Sequence, residues 1–167
     1  LYRQGYFRAA EPFLRGVTSG PIEREARAMR AVSLMKSDQV EEGEPEARRL
    51  LAERPPLNDI DLTLTLAEVL YERGDLTAAL ALIDEAAAFA PRHPTPPYWR
   101  ARVQLQQKKI AEATKSAEDS VRLAPQLPFA HDLLSRLYRL QGRSAEAARE
   151  AEWLRQFENQ KTQGARK

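Results

Sequence analysis

The sequence predicts an all-α protein built from antiparallel helix pairs, because three columns of residues repeat in phase. Small residues recur in the first column at separations of 33, 36, 34 and 34 residues. A second column of small residues precedes it by twelve positions, and a column of prolines follows it by twelve. The three columns are Ala10, Gly43, Ala79, Ala113 and Ala147; Ala31, Ala67, Ala101 and Ser135; and Pro55, Pro91 and Pro125. A period of this length indicates helix-turn-helix units in which small residues let two helices cross closely.

The third unit shows the two helices of a pair most clearly. Leu62, Leu66 and Leu70 share one face of a first helix, which we expect to end at Gly74. The second helix, within LTAALALIDEAAAFAP, ends at Pro91 because proline cannot continue a helix.

The opening segment LYRQGYFRAA fits the same pattern. It reads as the end of one helix, a turn at Gly5 and the start of a second helix. We therefore expect that the chain begins inside a repeat and that further residues precede Leu1 in the intact protein.

Composition excludes several classes of protein. The chain has 167 residues, of which 43% are hydrophobic, enough for a packed core. Its 26 Lys and Arg residues are interspersed with 24 Asp and Glu residues, so a net charge of +2 provides no long-range field that would attract nucleic acid. The absence of Cys excludes disulfides and thiolate ligands. Because no apolar stretch approaches the roughly 20 residues of a membrane-spanning helix, we expect a soluble chain.

The repeat pattern resembles the tetratricopeptide repeat family, whose helix-turn-helix unit of about 34 residues has small residues at the helix crossing and a closing proline. The resemblance extends from Leu1 to about Phe157. It implies a right-handed α-solenoid, a superhelix of antiparallel helix pairs with the first helix of each pair on the concave side. The concave groove is then the expected binding surface, and a protein or peptide is the expected partner.

The repeat boundaries divide the chain into an array at 1–157 and a tail at 158–167. The array is predicted to contain a partial first unit at 1–21 and full units at 22–57, 58–93, 94–127 and 128–157. The tail is polar and basic, and we expect it to be disordered.

Two aromatic side chains near the end of the array, Trp153 and Phe157, have no following unit to cover them. We favour a self-covered cap over a dimer contact for this pair, because the patch is of modest size. The sequence does not predict the oligomeric state.

Projecting the first helices beyond their packing stripes predicts a peptide-binding groove with aromatic and basic side chains. The candidate residues are Glu68, Tyr71, Tyr98, Trp99, Arg102, Arg136 and Arg139. Because arginine pairs bidentately with carboxylates, this set favours an extended or helical partner segment with acidic and apolar side chains.

These residues also have structural interpretations. Trp99 would pack against the preceding second helix, Tyr71 would shield a helix end, and the arginines would form a solvated face neutralised by nearby carboxylates. Family members that grip a C-terminal carboxylate use Lys, Asn and Arg on successive first helices. The comparable positions in this chain are Thr65, Glu68, Trp99 and Arg102, so that clamp is not expected.

No motif supports catalysis, a metal site or a cofactor. His93 lies in the linker PRHPTPP and His131 lies at the start of a first helix, and neither belongs to a nucleophile or metal constellation. We interpret them as a loop residue and as a packing or helix-start residue. Glycine-rich phosphate loops are also absent from the sequence.

The sequence therefore favours a non-enzymatic scaffold for protein–protein interaction. An alternative is a regulatory or targeting module of a larger enzyme whose catalytic domain lies N-terminal to Leu1. Single-stranded RNA binding ranks lower because Asp61, Glu68 and Glu72 interrupt a basic groove. High Ala, Arg and Leu usage favours a bacterial source. A cytoplasmic location is favoured, a periplasmic one stays open, and the partner's identity is not predicted.

Overall fold

A computed structural model of the chain describes residues 22–37, 39–53 and 57–164, together with Pro12, Leu14 and Gly16. Within these residues it contains eight α-helices and no strand. The helices are α1 (Glu23–Met35), α2 (Val40–Ala52), α3 (Ile60–Glu72), α4 (Leu76–Phe89), α5 (Thr95–Gln106), α6 (Ile110–Leu123), α7 (Pro128–Leu140) and α8 (Ser144–Gly164). Apart from the three isolated positions, the partial unit predicted at 1–21 lies outside the described residues.

Consecutive helices pack as antiparallel pairs: α1 with α2, α3 with α4, α5 with α6, and α7 with α8. Pairs form because only a few residues connect the two helices, which must then turn back on each other. Each predicted full unit holds one pair, and α8 runs past the end of the last unit. The helix pairs belong to two compact parts of the chain, Leu1–Pro91 and Arg92–Lys167. These parts, and not single repeats, are called the first unit and the second unit from here on.

In the first unit, small residues occupy the helix crossings. Ala31, Gly43, Ala67 and Ala79 are all buried. A Cβ atom at Gly43 would lie only 2.7 Å from the carbonyl oxygen of Ala31, which shows how closely α2 approaches α1. The small columns therefore have the packing role that their period predicts.

Polar side chains and a glycine fix the helix ends in the first unit. The carboxylate of Asp59 accepts a hydrogen bond from the N–H of Leu62 at 2.9 Å, where α3 begins. Asp75 accepts one from the N–H of Ala78 at 3.1 Å, where α4 begins. Gly74 has a φ of 83°, a left-handed conformation that favours glycine and ends α3.

The same left-handed turn recurs in the second unit. Gly142 has a φ of 71°, and Lys108, which lies 34 residues before it, has a φ of 62°. A lysine in this conformation is disfavoured by contact between its Cβ and the following carbonyl. The turn geometry is thus retained where the sequence lacks the glycine signal.

The second unit has one continuous core across its four helices. Ser135, which interrupts a column of alanines, is buried, and its hydroxyl donates a hydrogen bond to the carbonyl of Ala147 at 3.1 Å. A small polar residue is tolerated there because its hydrogen bond is satisfied. The buried cluster comprises Ala101, Ala113, Ala117, Leu133, Leu134, Leu137, Tyr138 and Ala147.

The tail differs from the sequence prediction. Disorder is expected from residue 158 onward, but α8 continues as a helix through Gly164. The residues of ENQKTQ include good helix formers, and the hydroxyl of Thr162 donates a hydrogen bond to the carbonyl of Glu158 at 2.9 Å. Side chains at 158–163 are exposed, so this extension of α8 buries little apolar surface.

Trimming the chain after Phe157 is expected to leave the thermal midpoint within about 2 °C of the full chain, because the side chains at 158–163 are exposed. Thermal unfolding followed by circular dichroism measures this. A chain trimmed after Glu152 also loses Trp153 and is the positive control, which should unfold at a lower temperature. A fall of many degrees for the shorter deletion would show that the tail is packed.

Candidate functional site

The predicted groove residues belong to both units. Tyr98, Trp99 and Arg102 lie on α5, and Arg136 and Arg139 lie on α7, so these five share the second unit. The two remaining candidates, Glu68 and Tyr71, lie on α3 in the first unit.

On α5, an arginine lies over two aromatic rings. The guanidinium carbon of Arg102 is 4.4 Å from the centroid of the Trp99 ring and 6.0 Å from that of Tyr98. The Trp99 side chain is only 7% exposed. Its ring therefore has little surface left for a ligand, and its contribution to a surface is to position the Arg102 guanidinium by cation–π contact.

Tyr98 connects α5 to α7. Its ring meets the ring of Phe129 edge to face at a centroid distance of 4.7 Å and that of Trp99 at 5.7 Å. Phe129 remains 41% exposed, although it belongs to this aromatic cluster. The cluster thus places an open aromatic ring at the start of α7.

The exposed side of α7, which we call the α7 face, carries apolar and basic side chains together. Leu140 at its other end is 56% exposed. Neither Phe129 nor Leu140 is among the residues predicted for the groove. The signal that identifies them is their separation of 11 residues, which returns a helix to the same side after three turns. The α7 face comprises Phe129, Asp132, Arg136, Arg139 and Leu140.

The two arginines of the α7 face have no side-chain partner within the described part of the chain. Arg136 and Arg139 are exposed, and neither guanidinium makes a side-chain hydrogen bond or ion pair with any residue that the structure describes. Asp132 lies one turn before Arg136, yet the two side chains form no ion pair. Both arginines can therefore meet an external carboxylate without breaking an existing contact.

In the first unit, Glu68 forms an ion pair with Lys36, the residue that follows α1. The pair lies in the wall of a cavity of about 350 Å³, whose lining also includes the apolar side chains of Met35, Val40 and Val69. Tyr71, one helical turn beyond Glu68, is half-buried. These α3 residues are thus engaged within their own unit.

A second cluster in Arg92–Lys167 joins α6 to α7. The hydroxyl of Tyr138 donates a hydrogen bond to Glu118 at 2.9 Å, and the guanidinium carbon of Arg143 lies 4.2 Å from the centroid of the tyrosine ring. Burial of the phenol, aided by the hydrogen bond to Glu118, raises the pKa of Tyr138 to about 12. The tyrosine itself is only 8% exposed, and its contacts tie α6 to α7.

The hydroxyl of Tyr138 is expected to stabilise the folded chain at neutral pH but not at high pH, and Tyr138→Phe removes this contribution. The neutral phenol is favoured in the folded state, so stability is fully present below the unfolded pKa of about 10 and declines as pH rises toward about 12, by up to roughly 2 kcal/mol. Near pH 8, the wild type should exceed the variant by about 1 kcal/mol, and this advantage should shrink or reverse near pH 11. Urea unfolding of both chains measures it, and a difference independent of pH would contradict the assignment.

The histidines occupy structural positions. His93 lies in an exposed connection, where its Nδ1 accepts a hydrogen bond from the N–H of Thr95 at 3.3 Å. His131 is only 5% exposed. Its Nδ1 contacts the carboxylate of Glu150 and its Nε2 contacts the carbonyl of Pro125, so the ring has a packing role. The described residues contain no group of three or more His, Asp or Glu side chains arranged to hold a metal ion.

A stacked column of rings closes the end of the second unit. The ring of Trp153 lies 3.7 Å from that of His131 and nearly parallel to it, and Phe157 stacks on Trp153 at 5.3 Å. Trp153 is therefore covered by rings of its own unit.

Among the helices in the described part of the chain, none has the length and apolar character needed to cross a bilayer.

Comparison with known proteins identifies the class of fold. No family model matches the chain. A TPR repeat-containing thioredoxin from Arabidopsis thaliana, TTL4, is 30% identical over 93 residues, which is 56% of this chain and only 14% of that protein.

Solved structures resemble a larger share of the chain. PilF of Pseudomonas aeruginosa superposes with a TM-score of 0.78 over 93% of this chain and 70% of its own, at 22% identity. MamA of Desulfovibrio magneticus RS-1 superposes with a TM-score of 0.73 over 95% of this chain and 89% of its own, at 16% identity.

The repeat period and the helix pairs show an array of helix-turn-helix units of about 34 residues, and its fold is similar to that of PilF and MamA. The predicted all-α fold class is thereby confirmed.

Proposed function

We propose that this chain is a non-enzymatic protein–protein interaction scaffold that binds a peptide or protein segment on the surface formed by α5 and α7. The observation that carries this proposal is the composition of the α7 face. Two exposed apolar side chains, Phe129 and Leu140, flank two exposed arginines that have no partner among the described residues. The apolar side chains of a partner segment would bury Phe129 and Leu140, and its acidic side chains would pair with the two arginines.

The remaining candidates fit this proposal in different ways. Tyr98 and Arg102 would line the α5 side of the surface, and Trp99 would hold Arg102 in place. On the first unit, we propose Glu68, which lines the cavity, and Tyr71 as further contacts.

Selection of a random linear peptide library on the immobilised chain tests the proposal. The matched variant is Arg136→Glu with Arg139→Glu, which reverses two exposed charges. The control is Lys115→Glu with Arg149→Glu, which makes the same charge change at exposed positions of α6 and α8. We expect an acidic and apolar motif to be enriched on the wild type and the control but not on the variant. Equal enrichment on all three proteins, or none on any, would contradict the proposal.

A second candidate is a repeat module within a larger enzyme. The name of the matched Arabidopsis protein joins TPR repeats to a thioredoxin, and the match covers only 14% of that protein. The sequence of the intact polypeptide tests this candidate: an adjoining catalytic domain would support it, and an intact chain consisting of repeats alone would reject it.

A further inference from the structure

Three residues of the α7 face form a straight ridge. At about 100° per residue, Phe129, Arg136 and Leu140 project within an arc of roughly 40° on α7. With a rise of about 1.5 Å per residue, Arg136 lies about 10 Å from Phe129 along the helix axis, and Leu140 lies about 16 Å from it. The ridge therefore presents apolar, cationic and apolar groups in that order.

This spacing distinguishes between two forms of peptide. In an extended segment, side chains on one side recur every 6 to 7 Å or so, at about 7, 13 and 20 Å. The positions of Arg136 and Leu140 relative to Phe129 fall between those values. A helix along α7 presents matching side chains on one face at i, i+4 and i+11 if it is antiparallel, or at i, i+7 and i+11 if it is parallel. The antiparallel direction is favoured because the two helix dipoles then oppose each other.

The charge of the ridge specifies the central residue of the partner. Arg136 lies between two exposed apolar side chains and has no ion-pair partner in the described part of the chain. A carboxylate at position i+4 of the partner would lie opposite it, and bidentate pairing would fix the register. Arg139, on the flank of the ridge, would pair with a second carboxylate.

We propose that the partner segment is an acidic amphipathic helix that lies antiparallel along α7. Its apolar residue at i contacts Leu140, its acidic residue at i+4 pairs with Arg136, and its apolar residue at i+11 contacts Phe129. This inference rests on the proposed function and deepens it by assigning the conformation and register of the bound segment.

Two displayed libraries test the inference. Both are randomised at i, i+4 and i+11, one in an alanine-based helical scaffold and the other in a Gly- and Ser-rich scaffold that does not form a helix. Each is selected on the wild-type chain, on Arg136→Glu with Arg139→Glu, and on the control Lys115→Glu with Arg149→Glu.

The expected result is enrichment of apolar, acidic and apolar residues in the helical library on the wild type and the control. Enrichment should fall about tenfold or more on the Arg136→Glu and Arg139→Glu variant. Enrichment confined to the Gly- and Ser-rich library would overturn the helical partner while leaving the proposed function intact. Helical enrichment that persists on the variant would overturn the docking position. No enrichment in either library would overturn the inference alone, because the selection from the random linear library tests the proposed function separately.

Discussion

His131→Ala is expected to lower the free energy of unfolding by about 2 to 3 kcal/mol. The imidazole is buried, and its Nε2 donates a hydrogen bond to the carbonyl of Pro125 at 2.8 Å. Its Nδ1 lies 2.5 Å from a carboxylate oxygen of Glu150 on α8. Alanine would remove both contacts and leave the carbonyl and the carboxylate without this partner.

The same substitution would uncover an aromatic ring. Trp153 stacks face to face on His131, so alanine would leave a gap beneath the indole. Because His131 ties the start of α7 to α8, the loss should destabilise the whole helix pair.

Urea unfolding of His131→Ala beside Asp132→Ala measures this effect. Asp132 is the exposed neighbour on α7, and its replacement should change stability by no more than about 0.5 kcal/mol. Equal stability of the two variants would show that the ring and its hydrogen bonds contribute little to the second unit.

Gly43→Ala is expected to destabilise the chain by about 1 to 2 kcal/mol, although alanine is the better helix former by about 1 kcal/mol. The added Cβ would lie 2.7 Å from the carbonyl oxygen of Ala31, 2.9 Å from Cγ of Met35 and 3.0 Å from Cβ of Leu34. Because the nearest atom belongs to the backbone, relief requires α1 and α2 to move apart.

Glu42→Ala is the control for this prediction, since it lies next to Gly43 in α2 and is exposed. It should alter the unfolding free energy by about 0.5 kcal/mol or less. If Gly43→Ala were instead more stable than the wild type, the close crossing of α1 and α2 would be wrong.

The fold could be predicted from the sequence because its signals are local and periodic. Ala79 and Ala113 recur at the spacing of the unit, and Gly74 carries its own turn geometry. Lys108 shows where such signals fail, since it adopts the left-handed turn only because the packed helices on either side require it. The helical extension of α8 is not predicted by the sequence, because its polar composition is also typical of a disordered tail.

The candidate site could be predicted only in part. Projection onto a helical wheel places Arg136 and Arg139 outside the packing stripe, and both side chains are exposed, while their role in binding stays a prediction. It could not show that Trp99 is buried beneath Arg102, because burial depends on neighbouring helices. It also does not select Phe129, because the exposure of this ring at the start of α7 depends on the packing of neighbouring helices, and the 11-residue spacing to Leu140 shows only that the two lie on the same side.

The affinity of a selected peptide for three forms of the chain tests the proposed binding surface most directly. Fluorescence anisotropy with the labelled peptide should give similar Kd values for the wild type and for Lys115→Glu with Arg149→Glu. The Kd for Arg136→Glu with Arg139→Glu should be weaker by about tenfold or more. Equal Kd values for all three proteins would contradict the account, because binding would then not depend on the α7 face.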